Sequence, residues 1–429
     1  MTTILDRTKQ PDFKQIDKID IVEAKKDKLS NNIPFYTIEA GTQDVVRIDF
    51  IFNSGSWQQK KPLLASTTNS MIDMGTSTMT ASEIAAKTDF YGAYLQFNTD
   101  HHFSSVSLYS LNKHLENTIS ILKDILKDAI FPQNEFETLL SRRRQSFIVN
   151  SEKVKNISRK LFIGALYGTA HPYGKVAELE DYENLKRDEI VEYFAENYIG
   201  ANCTIVAAGK INNNLYSIVD KHFGDNEWLK TKTNRELEIP IFTANEKFHF
   251  QEKDDAVQSS IRIGKIICDR SNPDFLGLRV LNTILGGYFG SRLMANIRED
   301  KGYTYGIYSM LTTLKNSAYF SIVSEVGADV CKNAIEEIYK ELNRLRTQLI
   351  AQDELNLVKN YMLGEIQRQF DGPFALSDSL QFLLEYNLEY SYFDDMIKTV
   401  RKITAPQLQE LAQKYFNENE MFQAIAGKM

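Results

Sequence analysis

LKRDEIVEYFAENYIGANCTIVAAGKI, residues Leu185 to Ile211, and ITAPQLQELAQKYFNENEMFQAIAGKM, residues Ile403 to Met429, are both 27 residues long and align without a gap. In the first stretch Ile190, Tyr193, Phe194 and Tyr198 fall at helical spacing, and a short apolar run then ends in Gly209-Lys210. In the second, Leu408, Leu411, Ala412 and Phe416 do the same, and Gly427-Lys428 closes it. Each copy reads as one helix followed by one strand. The offset of 218 residues, in a chain of 429, makes this an internal duplication rather than a short repeat.

The relation continues upstream. A strand-like stretch with alternating Val106 and Leu108 runs into a helix carrying Leu115, Ile119, Leu122 and Leu126. Its counterpart has Phe320 and Ile322, then Ile335, Ile338, Leu342 and Leu345. Strand alternation also opens each half, with Val46, Ile48, Phe50 and Phe52 in one and Ile261 and Ile263 in the other. Strands at the ends of a half with long helical stretches between them predict α+β layers: two homologous domains, each a mostly antiparallel sheet with helices packed on one face. The polar segment GDNEWLKTKTNRELEIPIFTANEK, with Pro240 inside it, separates the copies. The expected boundaries are residues 1–223 for the first repeat, 224–247 for the linker and 248–429 for the second repeat. Two such domains can face each other around a central chamber.

Composition fits large buried cores: 43% of residues are apolar, 25% charged and 11% aromatic, with 9 Pro and 21 Gly, which excludes disordered, collagenous and low-complexity classes. The net charge of -7 is not blocked into tails, so neither a nucleic acid nor a membrane is expected as partner. Cys203, Cys268 and Cys331 are far apart in sequence and form no disulfide framework, so a reducing compartment fits. The opening MTTILDRTKQPDFKQ has no apolar core, and no run is long enough to span a bilayer, so the expected location is cytoplasmic.

Motifs that carry chemistry are sparse. The six histidines, His101, His102, His114, His171, His222 and His249, include no pair one helical turn apart, which argues against a local histidine zinc site. His101 and His102 are adjacent in an apparent strand approach, so their side chains are expected on opposite faces. Gly286-Gly287 follows a helical stretch and has no Lys-Ser/Thr after it, so it reads as a tight turn and not a phosphate-binding loop. No G-x-S-x-G elbow is present. In IREDKGYTYG, Arg298 and Tyr305 sit seven residues apart across a helix end marked by Gly302. A guanidinium fork and a phenol can together hold a peptide carbonyl or carboxylate, although the same two residues also fit a surface charge and a half-buried strand aromatic.

With these motifs in hand, the chain resembles the insulinase-like zinc peptidases, which include pitrilysin, the mitochondrial processing peptidase and small bacterial relatives. LGGYFGSRLMANIREDKGYTYG is similar to the family's Gly-Gly, Ser-Arg-Leu, Arg-Glu, Gly-x-x-Tyr pattern through Gly286, Gly287, Ser291, Arg292, Leu293, Arg298, Glu299, Gly302 and Tyr305. LYGTAHPYGK, Leu166 to Lys175, resembles its Tyr-Gly, His-Pro-Tyr-Gly element, in which His171 is structural. Active members carry H-x-x-E-H on a helix of the first half, two histidines for zinc and a glutamate that polarises the attacking water. The matching stretch is LLASTTNSMIDMGT, anchored by Met71 and Gly75-Thr76, where Ser66 and Ser70 replace the histidines and Asn69 replaces the glutamate. The resemblance places a third, acidic ligand about 75 residues on, near Arg144 to Ser151, where Glu152 is the nearby carboxylate. Serine is a poor zinc ligand and asparagine cannot take a proton from water at neutral pH.

What the resemblance implies is therefore a non-catalytic subunit. It holds no cofactor of its own, and zinc is expected in a homologous partner chain bearing the intact motif. Arg298 and Tyr305 contact an extended peptide substrate, and a homodimer is open as well. A non-enzymatic peptide-binding or structural scaffold of the same fold is the alternative.

Overall fold

The computed structural model describes Thr8, residues 19–230 and residues 239–429; the rest of the N-terminal stretch and residues 231–238 of the expected linker lie outside the described residues. The first half forms a sheet of β1 (Lys25–Lys28), β2 (Pro34–Glu39), β3 (Val45–Phe52), β4 (Tyr94–Thr99), β5 (Ser104–Leu111) and β6 (Cys203–Gly209), in the spatial order β1-β2-β6-β3-β5-β4. The second half forms β7 (Phe248–Glu252), β8 (Gln258–Ile267), β9 (Thr304–Leu314), β10 (Ser317–Gly327) and β11 (Phe422–Gly427), in the order β7-β11-β8-β10-β9. Leaving out β1, the two orders coincide strand for strand. In both, one pair is parallel, β2 with β6 and β7 with β11, and the other pairs are antiparallel.

The duplicated stretch explains itself locally. The helices Arg187–Asn197 and Ala405–Tyr415 each start where an N3 side chain reaches back to the preceding backbone: Glu189 accepts from the Lys186 N–H at 3.1 Å and Gln407 from the Thr404 N–H at 2.9 Å. Both copies end in glycine because β6 and β11 finish with positive φ, +140° at Gly209 and +125° at Gly427. A Cβ there would also meet the Val45 carbonyl oxygen at 2.4 Å or the Ser259 hydroxyl at 2.6 Å.

Alternation sorts the faces as expected. Val46, Ile48, Phe50 and Phe52 of β3 pack with Leu115, Ile119, Leu122 and Leu126 in the first core, and Phe320 and Ile322 pack with Ile338, Leu342 and Leu345 in the second. Trp228, inside the stretch expected to be linker, is buried against Phe50, Phe52 and Phe223, so the first core extends to the short helix Asn226–Leu229.

The second face of each sheet carries a helix from the opposite half. Helix Val154–Tyr167 packs on β8, β11 and β7, and helix Pro373–Tyr386 packs on β6 and β2. Phe162, Ala165, Leu166, Tyr167 and Tyr173 of the first half form one cluster with Phe422 and Ala424 of the second. At the reciprocal contact, Asp49 on β3 is buried and accepts from Arg47 Nε (2.8 Å), Ser107 Oγ (2.5 Å), Ser377 Oγ (2.9 Å) and Gln381 Nε2 (2.8 Å). Arg47 also reaches Asp378 at 2.7 Å. The corresponding contact on the other sheet is a neutral hydroxyl pair, Ser158 with Ser260 at 2.8 Å.

These two contacts differ in what their loss leaves behind. Asp49→Ala leaves the buried Arg47 with only the exposed Asp378 as partner and strands two donors of the incoming helix, and is expected to destabilise by about 3 kcal/mol. Ser158→Ala removes one neutral hydrogen bond and is expected to cost about 1 kcal/mol. Urea unfolding of the two variants checks this, and similar losses for both would contradict the asymmetry.

Candidate functional site

Helix Leu64–Met71 holds the degenerate motif, and its geometry divides the three residues between two directions. Ser66 and Ser70, one turn apart, meet Arg143 from helix Gln133–Ser151. The Arg143 guanidinium donates from Nη2 to Ser70 Oγ at 2.6 Å and to the Ser66 carbonyl at 3.4 Å, and from Nη1 to Thr67 Oγ1 at 2.9 Å. Burial lowers its pKa below the usual arginine value; Tyr182 raises it slightly and Arg142 lowers it further.

Asn69 is buried on the other side of the helix. Its Nδ2 donates to the carbonyls of Asn98 (2.8 Å) and Ser105 (3.3 Å), and its Oδ1 accepts from Tyr198 Oη at 3.0 Å. An amide engaged in this way ties strands β4 and β5 together, with both its N–H groups spent on backbone carbonyls, and an amide oxygen cannot take a proton from water at neutral pH.

These residues do not fit zinc. Two neutral hydroxyls flank a guanidinium, and a cation among the donors repels a second cation. Among the described residues, no three His, Cys, Asp or Glu side chains gather as a metal would require. Glu152, the carboxylate nearest in sequence to the place of a third ligand, pairs with Lys253 at 2.9 Å, and the side chain that meets the motif from the downstream helix is Arg143. The signal was the Arg142-Arg143-Arg144 run, which a search for a carboxylate passes over.

A cavity of about 980 Å³ opens beside the motif. Ser66, His101, Arg143 and Tyr173 line it from the first half, and Gln251, Thr312, Leu314 and Tyr319 from the second. His101 and His102 do not diverge: they sit in the turn between β4 and β5, and both rings approach Tyr173, with centroids 5.2 and 5.7 Å away. The backbone there turns, so strand alternation does not apply. Tyr173 Oη accepts from the Asn316 N–H at 3.1 Å and shares a hydrogen bond of 2.7 Å with His102 Nε2. Burial, with Lys315 and His101 adding, lowers the His102 pKa to about 4, so the imidazole is neutral at pH 7. His171 is buried too, accepting from the Tyr173 N–H at 3.1 Å and stacking on Tyr167, a structural place that matches the expectation.

Arg298 and Tyr305 lie elsewhere. Arg298 is in the π-helical segment Met294–Asp300, its guanidinium over the Phe289 ring at 4.6 Å. Gly302 turns the chain with φ +66°, and Tyr305 follows on β9, an edge strand, with 91% of its surface exposed. Neither lines the cavity beside Ser66. Gly286 and Gly287 end a π-helical segment, Thr283–Gly287, and a Cβ on Gly286 would meet the Ser309 backbone nitrogen at 2.5 Å.

A second cavity of about 620 Å³ lies where helix Pro373–Tyr386 meets the first sheet, lined by Asp100, Lys315 and Glu385 among others. Burial, with Asp100 facing it, raises the Glu385 carboxyl to about 7 against opposing contributions from Tyr386, Arg270 and Lys315.

Two tests follow from this geometry. Ser66→His with Ser70→His is expected to leave the chain without stoichiometric zinc, whereas adding Arg143→Glu removes the cation, supplies a carboxylate and restores binding; metal content by mass spectrometry decides, and zinc in the double variant would refute the role given to Arg143. For Glu385 the native pKa lies above the unfolded one, so its stabilising contribution is complete below about 4.5 and is lost as pH rises through about 7. Glu385→Gln should therefore raise stability relative to the parent more at about pH 8 than at about pH 5, read from urea midpoints.

Comparison with known proteins agrees with the architecture. Residues 184–362 match the model of the peptidase M16 inactive domain, a span running from helix Arg187–Asn197 across the junction into helix Gln352–Arg368. An uncharacterised zinc protease of Bacillus subtilis, YmxG, is 24% identical over 353 residues, covering 81% of this chain and 84% of that one. The beta subunit of the mitochondrial-processing peptidase of Dictyostelium discoideum is 22% identical over 411 residues, 91% of this chain and 86% of that one. The crystal structure of a peptidase M16 inactive domain from Pseudomonas fluorescens superposes with a TM-score of 0.86 at 21% identity, covering 95% of this chain and 98% of that chain. A chain of complex III2 from Candida albicans superposes with a TM-score of 0.72 at 14% identity, 94% and 95% being covered. Residues 184–362 thus carry a peptidase M16 inactive domain, and over most of its length the chain is similar in sequence to zinc proteases and a processing-peptidase subunit and shares the two-sheet fold of solved M16 structures.

Proposed function

We propose that this chain is a non-catalytic, substrate-positioning subunit of a heterodimeric zinc-dependent peptidase. The observation that carries the reading is the Arg143 guanidinium bound to Ser70 and to the Ser66 carbonyl, where a metallopeptidase of this family needs anionic and imidazole ligands. A homologous chain with an intact H-x-x-E-H would then bring the zinc and the general base. This chain would bring Arg298 and the exposed Tyr305 as donors to the substrate carbonyl or to the oxyanion formed from it. Once held by the bound peptide and the partner, such donors need little reorganisation when a negative charge develops, which would be the source of their effect. A relative named as one subunit of a processing peptidase supports the two-chain arrangement.

The chain should be captured from its native lysate, and zinc and peptidase activity measured on it alone and with whatever it binds. Zinc and turnover are expected only in the complex, and Arg298→Ala or Tyr305→Phe should reduce turnover by about 2–4 kcal/mol of transition-state stabilisation. Stoichiometric zinc and activity in the isolated chain would overturn the proposal. Turnover indifferent to both substitutions would favour a scaffold instead.

A further inference from the structure

We infer that the cavity beside the degenerate motif takes an acidic stretch of peptide, with Arg143 holding one of its carboxylates; this deepens the substrate-positioning reading and rests on it. Arg143, Lys155, Arg159, Lys160 and Lys175 all line the cavity, and the one carboxylate among the lining residues, Glu178, is engaged by Lys160 at 2.5 Å. The chain as a whole carries a net charge of -7, so this concentration of positive charge runs against its average. Walls contributed by Leu314 and the rings of Tyr319 and Tyr173 have a lower dielectric constant than water and strengthen the field that an entering anion feels.

Two details show that the charge is uncompensated. The three hydrogen bonds of Arg143 go to neutral oxygens, which leaves two of its five N–H groups for a ligand. On the second sheet, Arg262 faces Ala424 of β11, as Asp49 faces Val206 of β6 on the first. Val206 and Ala424 are equivalent in the duplication, so an arginine stands where the other half has an acid. Its Nε–H is buried without a partner, and burial, with Arg159 of the cavity wall adding, lowers its pKa against opposing contributions from Tyr319 and Glu325. A guanidinium fork matches a carboxylate in two hydrogen bonds. The bounded space between the two halves suits an extended peptide and excludes a nucleic-acid duplex.

The test uses the full chain and three short fluorescent peptides of alternating composition, Glu-Ala, Gln-Ala and Lys-Ala, read by anisotropy. The Glu peptide is expected to bind about tenfold more tightly than the Gln peptide and to weaken with added salt, and the Lys peptide to bind least. Arg143→Gln should remove most of the preference. The double variant Arg159→Gln with Lys175→Gln, at two exposed positions, should reduce it without disturbing the fold. Equal binding of the Glu and Gln peptides would overturn the acidic preference and leave peptide positioning standing. No binding of any peptide would overturn both. Displacement of the Glu peptide by inorganic phosphate at a similar concentration would show a site for small anions, and would also overturn the inference.

Discussion

Each sheet of this protein has helices of its own half on only one face, and the other face is covered by a helix taken from the opposite half. Left bare, the apolar residues of those second faces, Ile38, Val206 and Ala208 on one sheet and Phe422 and Ala424 on the other, would meet water, and the exchange removes that penalty twice. Helix Val154–Tyr167 shows how one element serves two ends. Ser158, Phe162, Ala165 and Leu166 face the second sheet and fasten the halves, while Lys155, Arg159 and Lys160 on its other side form the cationic wall of the cavity. The cavity therefore cannot be separated from the interlock that makes it.

The exchange has a polar side as well. A buried carboxylate with four donors, two of them on the incoming helix, specifies the depth and rotation at which helix Pro373–Tyr386 docks. Its counterpart, Ser158 with Ser260, specifies less, because two hydroxyls tolerate many geometries. The duplicated halves thus differ in the polar contact that fastens each exchanged helix.

Much of the fold was legible because it is written in short-range periodicity. The copies at Leu185 to Ile211 and Ile403 to Met429 announce the duplication, and the alternation in β3 and β10 sorts the faces correctly. The exchange of helices was not legible: an amphipathic pattern says that a helix has an apolar face but not which sheet will cover it. The histidine pair was misread because His101 and His102 look like strand residues, yet belong to a turn that brings both rings to Tyr173. The motif helix was found from its Met71 and Gly75-Thr76 anchors, while Arg143 was missed. A lost acidic ligand was sought among the acids, whereas the side chain that meets Ser70 from the downstream helix has the opposite charge.

That reversal separates two properties which a metal supplies together. Bound zinc attracts electron-rich oxygens and also lowers the pKa of a coordinated water enough to make a nucleophile. A guanidinium keeps the attraction, through N–H groups in a fixed plane, but has no open coordination position and cannot acidify water. The Ser66 carbonyl and the Ser70 hydroxyl accept from Arg143 and so fix a positive charge against the degenerate motif, at the wall of the cavity that Ser66 and Arg143 line. Of the two properties, binding survives such a replacement and bond cleavage does not. Asn69, turned inward to hold β4 and β5, has moved from the chemistry of the site to the architecture beneath it.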